Sequence, residues 1–254
     1  MANQADAMKD CLQGLRVIDL TRNLPGPFAT RLLADLGAEI IKIEPKGGDP
    51  ARALGGLFDA LNHGKTIEKI DFRNAEDIES IKAHVENADV MLDSFRPGVL
   101  KGMGLDAQTL HAINPKLVIV SITGYGIVDY SDLTHDWADK AGHDINFMAM
   151  SGVLDQLRTA KGEQAMPNIQ FADLAGGSDT AVIALLAAVF AAQRTGKGRH
   201  VAVSMTHSLY NHMIMPKATG TLVKNFSGQN PPPHYDFLGG LLPCYRLYKT
   251  SDDS

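Results

Sequence analysis

Cysteine is nearly absent: Cys11 and Cys244 are the only two in 254 residues, and they lie far apart. That excludes a disulfide framework or a thiolate metal site and points to a reducing, cytoplasmic compartment. Long hydrophobic runs are also lacking. The longest, over residues 181–192, is too short to cross a bilayer and reads as a buried helix, so no membrane partner is expected. The opening MANQADAMKD has acidic side chains and no apolar core, so no secretory leader is expected. There is no large excess of either charge: 24 Lys and Arg against 29 Asp and Glu give a net charge of -5. This argues against a nucleic-acid partner, although a local basic patch could still hold phosphates. No GxxxxGK phosphate loop, three-glycine dinucleotide fingerprint, HExxH or GxSxG occurs. The nine histidines are scattered without metal-ligand spacing, so no metal is expected.

What is present is an α/β alternation. Apolar strands read at 15–20, 39–44, 67–72, 89–95 and 117–126. Helical periodicity separates them, starting behind Pro25-Gly26-Pro27 and again behind Asn74 and Asp106. Residues 173–198 form a long Ala- and Gly-rich helix closed by Gly196 and Gly198, with a strand and a helix following over 200–215. The segment 127–144 breaks the rhythm, as a loop over a site would, and the tail after Gly220 reads as irregular. Strands alternating with helices predict an open parallel sheet covered on both faces.

Two segments could carry proton chemistry. In GHDIN (142–146), His143 is of a residue type that can take or give a proton, and Asp144 could anchor the loop or tune the ring. A surface or capping role for His143 is equally compatible with the pattern. In FADLAGG (171–177), Asp173 precedes the long helix and reads either as its N-cap or as a carboxylate aimed into a cleft. Cations and aromatics cluster at strand ends: Lys46, Arg52, Arg73, Phe95 and Arg96. Ligands of open sheets bind there, and such residues suit phosphates and an adenine.

Taken in order, LRVIDLTRNLPGPFATRLLADLGAEIIKIEP, ADVMLDSFRPGVL with GMGL, INPKLVIVSITGYG, AGHDINFMAMSG, FADLAGG and RTGKGRHVAVSM resemble the family III CoA-transferases. That family includes the 2-methylacyl-CoA racemases, and GHDIN resembles the racemase branch. The resemblance implies a Rossmann-like large domain over 14–218, after an N-terminal extension at 1–13. Residues 219–254 would be a linker toward a small domain not contained in this chain. It implies an acyl-CoA thioester as substrate, with coenzyme A part of that substrate rather than a resident cofactor. Catalysis would fall to Asp173 and His143, with Asp144 beside them. In the racemases the two act from opposite faces of the acyl α-carbon; in the transferases the aspartate forms an aspartyl-CoA thioester. CoA would lie on Lys46, Ile70, Phe72, Arg73, Phe95, Arg96, Gly142 and Asn146. A homodimer or a complementing C-terminal polypeptide would complete the protein, and the chain alone would turn over slowly or be an inactive CoA-binding protein. The chain departs from the family pattern at Pro45, where an arginine usually follows the strand acid, and at Ser94, where asparagine is usual.

Overall fold

The computed structural model describes residues 8–127, 137–159, 162–230, 237–239, 242–245 and 247–252. The first strand, β1 (Arg16–Leu20), is buried along nearly its whole length. Pro25 and Pro27 then open helix α1 (Pro25–Asp35), where proline costs no helical hydrogen bond. Next come β2 (Glu39–Pro45), a 3-10 turn at Pro50–Ala53, α2 (Leu57–Asn62) and β3 (Thr66–Ile70). Helix α3 (Ala75–Val85) is capped by the Asn74 side chain, which accepts the Glu76 N–H. Strand β4 (Val90–Asp93), α4 (Val99–Gly102), α5 (Ala107–Ile113) and β5 (Val118–Thr123) follow. Then α6 (Asp144–Ser151), α7 (Val153–Gln156), a π-helix at Ala172–Asp179, α8 (Thr180–Thr195), β6 (Arg199–Ser204), α9 (Met205–Asn211), α10 (Ile214–Ser227) and a 3-10 turn at Phe237–Gly239 complete the described elements.

The six strands form one parallel sheet in the order β3-β2-β1-β4-β5-β6. The order reverses between β1 and β4, which opens a crevice at their carboxyl ends. Each face carries its own core. On one face, Val17, Leu92 and Val120 pack with Leu33, Leu185 and Leu209 from α1, α8 and α9. On the other, Ile18, Met91 and Ile119 pack with Ile81 and Leu110 from α3 and α5. The doubly covered parallel sheet is the fold class the alternation predicts.

Several elements differ from the sequence reading. The long helix divides: its first eight residues, around Gly176-Gly177, are π-helical, and only Thr180–Thr195 is α-helical. The combined rod, Ala172–Thr195, has the length and composition of a membrane span. Here Leu185 and Ala188 pack in the sheet core, so the rod covers the sheet. The tail is helical through Ser227, because Pro216 falls in the first turn of α10, where it is tolerated. Helix α10 therefore runs through the boundary expected at 218. Residues 128–136 of the aromatic loop, and Pro231, Pro232 and Pro233, lie outside the described residues.

The carboxyl ends of β1 and β2 enclose a buried charge network that strand periodicity does not reveal. Asp19 accepts hydrogen bonds from Thr21 N and Oγ1, and from Thr30 Oγ1 at 2.6 Å. The Lys65 ammonium, its side chain fully buried, lies 3.3 Å from Asp19 and donates to Pro27 O, Thr30 Oγ1 and Asn62 Oδ1. Lys42, also buried, donates to Thr21 O at 2.7 Å and sits 3.4 Å from Asp49 Oδ2. That oxygen has no hydrogen bond of good geometry, so the Lys42 contact is one of charge alone. Burial pushes the Asp19 carboxyl up, but the charges of Lys42 and Lys65 together with the Thr21 and Thr30 hydrogen bonds outweigh it and hold it at about 2. Burial pulls Lys65 down to about 8, against the pull of Asp19. Removing one partner strands the other charge in the interior. Lys65→Met should therefore cost about 3–5 kcal/mol in urea unfolding, and adding Asp19→Asn should recover part of the loss. A double variant less stable than Lys65→Met would contradict this account.

Candidate active site

Asp173 lies in the first turn of the π-helix and does not cap it. The cap comes from another element: Asp144 Oδ1 accepts the Asp173 backbone N–H at 2.9 Å, and the Ala172 N–H also bonds to this carboxylate. Helix α6 thus docks its first residue on the amino end of the π-helix, where donors are unpaired and negative charge is favoured. The consequence is two carboxylates side by side. Burial, and then the Asp144 charge, push Asp173 up to about 7. Burial likewise raises Asp144, against the two amide bonds that favour its ionised form. A carboxyl that changes protonation near neutrality suits proton transfer or nucleophilic attack.

His143 precedes Asp144 and is the exposed N-cap residue of α6. Its ring therefore belongs to the surface beside the Asp144–Asp173 junction. Asn146 Oδ1 accepts the His143 backbone N–H at 2.9 Å, so Asn146 fastens the helix start. Gly142 is needed for space: a Cβ there would come within 2.5 Å of Phe147 and 2.7 Å of the Tyr125 hydroxyl. These contacts fix the backbone entering His143. They account for Gly142 and Asn146 without a ligand.

Of the expected CoA-binding residues, Lys46, Phe72, Arg73, Phe95 and Arg96 follow the carboxyl ends of β2, β3 and β4. Phe72 and Phe95 meet edge to face with centroids 5.8 Å apart. Lys46 lies 3.5 Å from Asp71, while Arg73 and Arg96 are exposed. Ile70 is a core residue, and its carbonyl accepts the Lys46 N–H at 3.1 Å. Arg52 is committed elsewhere: it forms a two-pronged pair with Glu44 at 2.6 and 2.8 Å and lies over the Phe58 ring. Sequence reasoning missed Arg22. Its exposed guanidinium stands over Phe95 at 5.4 Å, and its backbone N–H donates to Ser94 Oγ, joining the ends of β1 and β4 across the crevice. Its place directly after a strand, like that of Arg73, was the available signal. Also missed was the chain Asp93–Ser121–His200, in which the Ser121 hydroxyl lies 2.6 Å from the carboxylate and 2.9 Å from the imidazole. Burial pushes Asp93 up to about 6 despite the Ser121 bond. Among the described residues no three metal-ligating side chains converge.

Residues 12–254 match the profile of CoA-transferase family III. The chain belongs to that family. A CaiB/baiF CoA-transferase family protein of Caenorhabditis elegans is 34% identical over 95% of this chain and 66% of its own length. The mouse alpha-methylacyl-CoA racemase is 33% identical over 95% of this chain and 59% of its own length. The succinate–glutarate CoA-transferase of Agrobacterium fabrum is 35% identical over 78% of this chain and 51% of its own length. The crystal structure of a CAIB/BAIF family protein from Brucella suis superposes with a TM-score of 0.77 at 33% identity, covering 87% of this chain and 59% of that one. The chain thus spans roughly half to two thirds of the length of these family III relatives.

The raised acid has a measurable effect on stability in this family III chain. Asp173 has an ordinary value of 3.8 when unfolded and about 7 when folded, so between those limits the folded state holds the proton more tightly. Stability from this residue is full below the lower value and is lost as pH rises through the upper one. Asp173→Asn, which cannot ionise, should melt close to the parent at pH ~4 and a few degrees above it at pH ~8. A melting gap that does not change with pH would contradict the assignment.

Proposed function

We propose that this chain handles acyl-CoA thioesters, with Asp173 and His143 as the catalytic pair of an α-proton transfer of the 2-methylacyl-CoA racemase kind. The observation that carries the reading is the junction of α6 with the π-helix. There Asp144, the chain neighbour of an exposed imidazole, holds the backbone amide of Asp173, whose half-buried carboxyl ionises near neutrality. Racemisation needs one group to remove the α-proton and another to return it on the opposite face. An imidazole and a raised carboxyl on adjoining elements suit that task. The crevice between β1 and β4 would take the nucleotide end of CoA. Arg22, Lys46, Arg73 and Arg96 would supply positive charge, and Phe72 with Phe95 an apolar face. Cytoplasmic location, and a second copy or complementing polypeptide closing over the thioester, belong to the same proposal.

A second reading is supported by the Agrobacterium relative's name and by the same carboxyl. As a nucleophile, the Asp173 carboxylate would attack the thioester carbonyl, and the C–S bond would break with CoA leaving as thiolate. The thiolate would then attack the aspartyl carbonyl of the resulting anhydride, releasing the carboxylic acid and leaving an aspartyl thioester. The readings differ at the α-carbon, which only racemisation deprotonates.

Incubation with a 2-methylacyl-CoA in deuterated water separates them by mass spectrometry. The first reading expects deuterium at the α-carbon, however slowly, with the rate cut roughly 10²–10³-fold by His143→Ala or Asp173→Ala. A CoA adduct on Asp173 without deuterium would establish the transferase chemistry instead. Binding of the thioester with neither product would leave a CoA-binding chain without turnover and sink both readings.

A further inference from the structure

The buried network under β1 and the acid on the π-helix meet at one hydroxyl. Ser178 is fully buried, and its Oγ lies 2.6 Å from Pro25 O, on an element 153 residues away in sequence. The same oxygen lies 3.1 Å from the carbonyl of Asp173, five residues earlier in the π-helix. A π-turn stacks residues five apart, which is what brings this side chain over that peptide. Thr195, Thr221 and Ser227 are exposed and bond to the carbonyl four residues back in their own helices, whereas Thr206 of α9 reaches Gly124 O on another element. Ser178 likewise reaches out of its helix and joins the helix of the acid to the turn that opens α1.

Both ends of this bond are held. The Pro25 end belongs to the Pro25-Gly26-Pro27 turn, whose Pro27 carbonyl accepts from buried Lys65 at 2.9 Å. Gly26 is pressed so close to Thr21 that a Cβ would come within 2.1 Å of its side chain. The π-helix end is wedged by its glycines. A Cβ on Gly176 would lie 2.8 Å from the Met205 carbonyl, and one on Gly177 would lie 3.0 Å from the Pro25 ring. Across this packed contact the Ser178 hydroxyl, 2.6 Å from Pro25 O, adds a directional tie between the turn and the helix that carries Asp173.

We propose that Ser178 is a positioning residue for Asp173: its hydroxyl ties the π-helix that carries the acid to the Pro25 carbonyl and so fixes how deeply that carboxyl sits beside Asp144. The inference rests on the role given to Asp173 under Proposed function and adds the group that sets its place. Without the hydroxyl, the glycine contacts and the Asp144 bond still seat the helix, but its first turn loses the tie to Pro25 and shifts enough for the carboxyl to regain some solvent. The raised protonation midpoint, which depends on burial first and Asp144 second, then relaxes toward that of an ordinary carboxyl.

The test is carboxyl-carbon NMR titration of the full chain labelled with 13C-aspartate, the Asp173 signal being assigned by its loss in Asp173→Asn. The parent signal should titrate at about 7. Ser178→Ala should lower that midpoint by about one unit, and Ser178→Thr, which keeps the hydroxyl, should restore most of it. If the alanine variant does not fold, Ser178→Cys, of similar volume and a weaker donor, should shift the midpoint in the same direction. An unchanged Asp173 midpoint in a folded Ser178→Ala or Ser178→Cys chain overturns the positioning role and leaves the reading of Asp173 intact. A parent midpoint in the ordinary carboxylate range overturns the reading of Asp173 itself, and the positioning role with it.

Discussion

The Pro25-Gly26-Pro27 turn is the constraint on which the rest depends. It lies at the carboxyl end of β1, beside the crevice where the sheet order reverses. One side is fastened by Lys65 to the Pro27 carbonyl and the other by Ser178 to the Pro25 carbonyl. Burying Asp19, Lys42 and Lys65 is costly unless their bonds are met, and here nearly all are. The return on that cost is geometric. A turn held by charge cannot drift, so elements packed on it inherit a fixed position.

The two buried aspartates differ in what burial sets beside them. Asp19 is buried with two lysines and two hydroxyl donors and stays well ionised, at about 2. Asp173 is raised to about 7 by burial first and by the Asp144 charge second. The same fold thus holds one aspartate ionised and keeps another protonated up to near neutrality, because only the first is given cations and donors to offset its desolvation. Asp144 has two effects on its neighbour: it fastens the Asp173 amide and raises the Asp173 carboxyl.

The sheet, the Asn74 cap and the two candidate segments were legible in the sequence because each rests on local periodicity or local hydrogen bonding. The charge network was not. In EIIKIEP, Lys42 occupies a position that period-two alternation reads as ambiguous and that lysine usually reserves for solvent, yet its side chain is 1% exposed. What places it inside is the meeting of β1, β2 and the Asp49 turn, a tertiary fact. Likewise nothing in ADLAGGSD announces a π-helix, since its glycines read equally as loose helix. They are needed because the Pro25 ring and the Met205 carbonyl come too close for a side chain. Asp173 was legible as a candidate and ambiguous as a cap. The ambiguity is resolved only by Asp144, 29 residues earlier, occupying the capping position. Gly142 and Asn146, expected as CoA contacts from the resemblance, also have a local part at the start of α6, which is visible only once Phe147 and the His143 amide are in place.

The central claim is that one crevice joins a nucleotide platform at the ends of β1 to β4 with the carboxyl of Asp173. A crystal structure with a non-hydrolysable 2-methylacyl-CoA analogue tests it most directly. The account predicts the adenine and phosphates over Phe72, Phe95 and the neighbouring arginines, and the acyl α-carbon or carbonyl within about 3.5 Å of the Asp173 carboxylate. An analogue seated elsewhere, such as the groove between Cys11 and Phe190 on the far side of α8, or one whose acyl end points away from Asp173, would contradict it.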